Sequence, residues 1–191
     1  MKTVSKFCLV AFLLAYGSIC HAQTEKGSWL IGGSGSYQHL KNDDVNTKEN
    51  IFSLSPRAGI FIIKNLAIGL TPSVSWDHQK FENQTNGDYK SSSWTVGPFA
   101  RYYYNLSSSV SLFAEGSFGY GGNTYKSGGI PSKSHFYTWY AGPGVAFFLS
   151  HSVSLDFSAA YMQNKVKGHF GDKTNTLKAQ FGFSIYIPKG H

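Results

Sequence analysis

Four histidines, with serines and acids near them, are the side chains that could support hydrolytic or acyl-transfer chemistry. The set comprises His39, His78, His135 and His169, with Ser92, Ser93, Ser134, Asp77 and Glu82. A nucleophilic triad needs a serine, a histidine and an acid within hydrogen-bond distance of one another. No spacing in the sequence ties these residues into such a set. We therefore predict no catalytic residue, and an enzyme remains the less favoured alternative.

The same histidines are the candidates for a metal site. They form no close pair and no H-x-x-x-H spacing, so the sequence predicts no metal. Both cysteines, Cys8 and Cys20, lie near the N-terminus. The glycine-rich segments 32–35 and 116–122 fall in predicted strands, whereas a phosphate-binding loop needs a following helix. No cofactor is expected.

Residues 1–22 have the three regions of a secretory signal. Lys2 and Lys6 precede an apolar run over residues 7–16, and small residues lead to Ala22. We predict cleavage after Ala22, which leaves residues 23–191 as one domain without cysteine. The apolar run is too short for a membrane-spanning helix of roughly twenty residues.

The composition narrows the class of protein. Charged residues make up 14% of the chain and aromatic residues 16%, which argues against disorder and against a charge-dominated helical bundle. The formal charge is +7, but lysine and arginine are spread along the chain without a basic cluster. Nucleic acid is therefore not an expected partner.

Apolar and polar residues alternate with a period of two, which indicates strands with unlike faces. The alternating stretches are residues 29–37, 52–62, 66–76, 94–104, 110–120, 137–147, 153–161 and 177–187. Most have the length of about eleven residues that a tilted strand needs to cross a bilayer. Prolines at positions 56, 72, 98 and 143 fit a sheet interior poorly, so we expect bulges or missing ladder bonds there.

The connections alternate between short and long. Residues 64–65, 105–109 and 150–152 form short links, whereas 40–50, 78–93, 121–136 and 164–176 are predicted to be long polar loops. An even number of strands with short turns at one rim and long loops at the other is typical of outer-membrane barrels. The predicted fold is all-β: an eight-stranded antiparallel up-and-down transmembrane β-barrel.

Charge placement distinguishes the two faces of the predicted sheet. The charged residues of the eight stretches all fall on the face rich in Ser and Gly; they are Arg57, Arg101, Glu115, Asp156 and Lys178. On the opposite face, aromatic residues gather near the strand ends, as interfacial girdles do. The predicted girdle comprises Trp29, Trp76, Trp94, Trp139, Tyr102, Tyr104 and Tyr161. This sorting favours a membrane barrel over a soluble secreted barrel that hides its apolar face.

Eight strands enclose a lumen that side chains can fill, so we predict no wide pore. The five charged residues are then expected inside as a structural ion network, because unpaired buried charge is costly. Arg101 and Glu115 are nearly symmetric about the predicted turn between their strands and are expected to pair. A narrow ion or proton path is the alternative.

Two motifs carry a resemblance to a known family. The segments Gly97-Pro98-Phe-Ala-Arg-Tyr-Tyr-Tyr and Tyr140-Ala-Gly142-Pro143-Gly-Val-Ala-Phe-Phe, with the signal and the eight strands, resemble the outer-membrane protein β-barrel domain family, similar in architecture to OmpA and OmpX. The resemblance implies a structural or surface-interaction protein of a Gram-negative outer membrane. The partners it implies are lipid and lipopolysaccharide, the barrel-assembly machinery, and an extracellular partner at the four long loops. A lipid A deacylase or acyltransferase on the same barrel is the alternative function.

Overall fold

The computed structural model describes residues 24–42, 47–81, 88–127, 130–166 and 173–189. Within them the chain forms eight strands: β1 (Trp29–Asn42), β2 (Thr47–Ile63), β3 (Leu66–Phe81), β4 (Asp88–Asn105), β5 (Val110–Ser127), β6 (Ile130–Ser150), β7 (Val153–Val166) and β8 (Lys173–Ile187). The predicted signal of residues 1–22 and its cleavage site lie outside the described residues.

The eight strands close into one barrel. Each strand pairs antiparallel with the next, and β8 pairs antiparallel with β1. The predicted eight-stranded up-and-down topology is therefore confirmed. Among the described residues, no helix is long and apolar enough to cross a membrane.

The two faces of the sheet have opposite character. Outward-facing Leu70 is 58% exposed and Phe157 is 45% exposed, whereas Arg101 and Ser184 on the inward face are at most 1% exposed. A soluble barrel would bury the apolar face, because its outer surface must be wetted. The structure shows the reverse arrangement, which is that of a barrel whose outer surface contacts hydrocarbon.

The short connections lie where the sequence predicts them, at residues 64–65, 106–109 and 151–152. Asn65 has a positive φ of 66° in the first of these turns, a backbone conformation that Asn tolerates better than most residues. Its backbone also bonds to the segment before β1, since its N–H donates to the Thr24 carbonyl at 2.9 Å.

The predicted long loops 40–50, 78–93, 121–136 and 164–176 are wrong in extent, because most of their residues belong to strands. The β5–β6 ladder, for example, continues to the pair Ser127 and Ile130. Residues 43–46, 82–87, 128–129 and 167–172 of these predicted loops lie outside the described residues. These strand ends carry few apolar residues, so the alternation that predicts strands stops while backbone pairing continues.

The prolines interrupt the hydrogen-bonded ladders, as the sequence predicts. The β2–β3 register passes from Leu54 with Val74 to Ala58 with Leu70, which leaves out Pro56 and Pro72. Similar gaps fall beside Pro98 on the β4–β5 side and Pro143 on the β6–β7 side. Each gap faces one neighbouring strand, because proline lacks the N–H that a ladder requires.

The junction between β1 and β8 is paired over part of its length. Residues from Trp29 to Gly35 of β1 pair with Phe181 to Ile187 of β8. On the long-loop side of these pairs, β1 continues to Asn42 and β8 begins at Lys173, each bonded to its other neighbour. We call this outer part of the junction, residues 36–42 and 173–180, the seam.

Candidate functional site

Four charged side chains from four strands meet in the lumen. Arg57 comes from β2, Arg101 from β4, Glu115 from β5 and Asp156 from β7. All four are buried, and Arg101 is only 1% exposed. Alternation on each strand points them inward, so the closed barrel brings them together although they lie far apart in sequence.

Arg101 connects the two acidic residues. Its Nε donates to Glu115 Oε2 at 2.5 Å, and its Nη1 donates to Asp156 Oδ2 at 2.6 Å. Arg57 Nη1 donates to the same Glu115 oxygen at 2.5 Å. The predicted pair of Arg101 and Glu115 is thus present, and two positive charges balance two negative ones. A buried cluster of zero net charge avoids the cost of isolated charge in a low dielectric.

Hydroxyl groups complete the cluster, and sequence reasoning missed them. Tyr140 donates to Glu115 Oε1 at 2.6 Å, while Ser154 and Ser184 each donate to an Asp156 oxygen at 2.7 Å. Arg101 Nη1 also donates to the Tyr103 hydroxyl at 3.0 Å. These hydroxyl residues lie on the polar face of their strands, beside the charged residues. A buried carboxylate needs more than one donor, so this placement could have predicted their hydrogen bonds.

On the short-turn side of the charges, aromatic and apolar side chains fill the lumen. This plug comprises Leu30, Phe61, Ala67, Phe99, Tyr103, Phe113, Ala146, Phe148 and Tyr186. The Arg101 guanidinium carbon lies 4.0 Å from the centroid of the Phe113 ring, a cation–π distance. The Tyr186 hydroxyl donates to that of Tyr103 at 3.1 Å. The plug therefore packs directly against the charged cluster.

On the long-loop side, the lumen holds a cavity of about 140 Å³. Nine of its nineteen described lining residues are serine or threonine, namely Ser53, Ser55, Thr71, Ser73, Ser75, Ser93, Thr95, Ser117 and Thr138. Trp94, Phe136 and Met162 supply apolar surface. Lys178 lies on this wall and not in the charged cluster. Sequence reasoning placed Lys178 in one network with the other four residues, because alternation gives the face of a residue but not its depth in the lumen.

The seven predicted girdle residues all lie on the outward face, with exposures from 39% for Trp139 to 63% for Tyr104. Ring contacts join neighbouring strands toward the long-loop rim: Trp76 stacks on Phe52 at 5.9 Å between centroids, and Trp139 meets Tyr161 at 5.6 Å. Tyr37, Tyr120 and Tyr137 also lie exposed toward this rim and were not predicted. All three lie within the predicted stretches 29–37, 110–120 and 137–147, at the ends that face this rim.

The candidate hydrolytic residues do not all come together, although Asp77, His78 and Ser92 line one pocket where β3 pairs with β4. His78 is on β3 and His135 on β6, two strands that do not pair with each other. His135 stacks on Tyr120 at 5.6 Å, and the Ser93 hydroxyl lies 2.5 Å from that of Ser75. His169 and Glu82 lie outside the described residues, and no side-chain position is described for His39. Within the described part of the chain, no group of three or more His, Cys, Asp or Glu could hold a metal ion.

Comparison with known proteins gives one family and several solved barrels. Residues 8–184 match the model of the outer membrane protein beta-barrel domain. Neisserial surface protein A (NspA) is 18% identical, with a TM-score of 0.53 over 84% of this chain and 97% of that one. The N-terminal β-barrel domain of Pseudomonas aeruginosa OprF is 10% identical, with a TM-score of 0.49 over 85% and 98%.

A third barrel of this kind is Ail, the attachment invasion locus protein of Yersinia pestis, which is 20% identical with a TM-score of 0.44 over 85% of this chain and 99% of that one. At these identities the likeness to NspA supports the fold alone. No curated protein matches the chain.

Proposed function

Because the chain belongs to the outer membrane protein beta-barrel domain family, we propose that it is a plugged barrel of a Gram-negative outer membrane that presents a surface-interaction rim. One observation carries this proposal: the apolar face points outward while charged residues and aromatic rings occupy the short-turn side of the lumen. The first property holds the barrel in lipid, and the second leaves the rim as the part able to meet partners.

The rim is built largely of strand, which suits a surface-interaction role. The strands have from 14 to 21 residues, whereas a transmembrane strand needs about 9 to 11. The excess extends the sheet beyond the membrane on the long-loop side. We propose that an extracellular partner binds these strand ends and the four connections within 40–50, 78–93, 121–136 and 164–176.

Basic residues stand just beyond the aromatic girdle on the outward face of β6, β7 and β8. Lys133, His135, Lys165 and Lys173 are all exposed. Lys165 is the direct ladder partner of both Tyr137 and Lys173. Like charges directly opposite each other on a sheet repel, and an anion between them removes the repulsion. We propose that phosphate groups of lipopolysaccharide bind here.

Thermal unfolding with and without lipopolysaccharide tests this contact. We expect lipopolysaccharide to raise the unfolding temperature of the refolded barrel, and the double variant Lys165→Gln/Lys173→Gln to lose most of that rise. Lys64→Gln is the matched control, since Lys64 is exposed at the opposite, short-turn rim. An equal rise in unfolding temperature in the double variant and the parent would contradict the proposed lipopolysaccharide contact.

Two further measurements separate this function from its alternatives. In planar bilayers we expect no steady conductance, because the plug and the charged cluster occupy the lumen on the short-turn side. In mass spectra of lipid A from cells with and without the protein we expect no difference in acylation. A change in acylation would favour the lipid A-modifying enzyme, and steady channels would favour an ion path.

A further inference from the structure

The cavity on the long-loop side has one charged wall residue, and that residue is a cation. Among the cavity-lining residues, Lys178 alone is charged. No ion pair or hydrogen bond of Lys178 occurs within the part of the chain that the structure describes. The two carboxylates of the charged cluster are already bonded to Arg57 and Arg101. The lumen therefore carries a positive charge that the cluster does not balance.

A second wall residue also lacks a partner. Thr138 is 9% exposed, and its Oγ1 has no hydrogen-bond partner in the described structure. A buried hydroxyl without a partner is costly, so such groups in native proteins usually serve a water or a ligand. Thr138 and Lys178 line the same cavity.

The remaining wall supplies more hydroxyl groups at close quarters. Ser55 lies 2.8 Å from Ser73, and Ser75 lies 2.5 Å from Ser93, oxygen to oxygen. In each pair one hydroxyl donates, which leaves the other hydroxyl a proton to donate into the cavity. The wall is thus rich in neutral donors around one ammonium group.

We propose that this cavity is a binding site for a phosphate group, held by the Lys178 ammonium and the hydroxyls of Thr138 and the paired serines. An oxyanion accepts several hydrogen bonds, and charge-assisted bonds to an ammonium are the stronger ones. The volume of about 140 Å³ holds a few water molecules at ~30 Å³ each. A phosphate group with its last hydrating waters fits within that space.

The phosphate can come from either of two sources. Free inorganic phosphate would enter through the long-loop mouth of the lumen. A phospholipid headgroup would enter sideways at the seam, because Lys178 and Gln180 belong to the part of β8 that does not pair with β1. Both sources present the same chemistry to Lys178.

Titration of the full refolded chain with inorganic phosphate tests the site. In maltoside micelles, which contain no phosphate, we expect saturable NMR shifts of the amides of Thr138 and Lys178. Lys178→Met should weaken binding at least about tenfold, as expected for loss of a charge-assisted bond, and Lys178→Arg should retain it. The matched control is Lys64→Met, an exposed lysine at the opposite, short-turn rim, which should leave these shifts unchanged.

Nanodiscs distinguish the two sources. Without free phosphate, shifts at Thr138 and Lys178 in phosphatidylglycerol nanodiscs but not in galactolipid nanodiscs would identify the lipid headgroup, whereas shifts only with inorganic phosphate would identify the free anion. Either result supports the site. Absence of shifts in both arms, or equal shifts in the folded Lys178→Met variant, would overturn it. Because Lys178 makes no described pair, we expect Lys178→Met to fold. Heat-shift gels check that it does.

Discussion

Arg101 and Glu115 are ladder partners across the β4–β5 hairpin, and their side chains meet in the lumen with Nε 2.5 Å from Oε2. Glu115 also accepts hydrogen bonds from Arg57 and Tyr140. One carboxylate therefore holds groups from β2, β4 and β6. This arrangement makes Glu115 the residue whose charge most directly links the walls of the barrel.

Removing that charge should destabilise the barrel strongly. In Glu115→Gln, two buried guanidinium groups face the single carboxylate of Asp156, and breaking a buried pair in this way costs about 3 kcal/mol or more. We expect a lower urea midpoint and a lower temperature of the heat shift in detergent. Glu25→Gln is the control, because Glu25 pairs with Lys64 at 2.9 Å while both are about two-thirds exposed and should change little. Equal stability of Glu115→Gln and the parent would contradict a structural role for the cluster.

Local pattern predicted the pair but not the rest of the cluster. Hairpin symmetry gives the Arg101 and Glu115 register, because one tight turn fixes which residues oppose each other. Asp156 bonds to Arg101 from 55 residues away, and that contact depends on how eight strands tilt and close. Lys178 shares the inward face with these residues yet lines the cavity, since depth in the lumen also follows from that closure. The sequence pattern underestimates the lengths of the strands, because strand ends with water on both faces lack the apolar alternation on which the prediction depends.

A charged side chain on the outward face, midway between the two rims, should destabilise the barrel. Leu70 is 58% exposed on β3, between the short turn at residues 64–65 and the girdle residue Trp76. Leu70→Arg is expected to lose roughly 2 to 4 kcal/mol of unfolding free energy in lipid vesicles, the cost of a cation at the bilayer midplane. Leu106→Arg is the control, since Leu106 is 57% exposed in a short turn. Reversible guanidinium unfolding in vesicles measures both, and an unaffected Leu70→Arg barrel would argue that water wets this face.

Gly142 beside Pro143 occupies a place where two backbones come close. A Cβ at Gly142 would collide with the carbonyl oxygen of Ala159, whereas a Cβ at Gly116 would meet only a carbonyl oxygen 3.7 Å away. We expect Gly142→Ala to lose about 1 to 3 kcal/mol, as overpacked sites do, and Gly116→Ala to be unchanged or slightly more stable. Urea midpoints in detergent measure the difference. If both variants shift equally, the close approach at Gly142 does not limit the packing.

The seam should open more readily than any fully paired wall, because its strands have a ladder partner on one side only. Amides of residues 36–42 and 173–180 are therefore expected to exchange hydrogen faster than those of residues 99–102 in β4, which have a ladder partner on both sides. Mass spectrometry of the barrel in nanodiscs measures this rate peptide by peptide.

Extending the register from Gly35 with Phe181 makes Ser36 and Gln180 the next opposed positions. A disulfide in Ser36→Cys/Gln180→Cys should slow exchange across the seam relative to its own reduced form, while β4 exchanges equally in both. Exchange in the parent that is as slow at the seam as in β4 would mean that the two strands are held together by contacts other than the ladder.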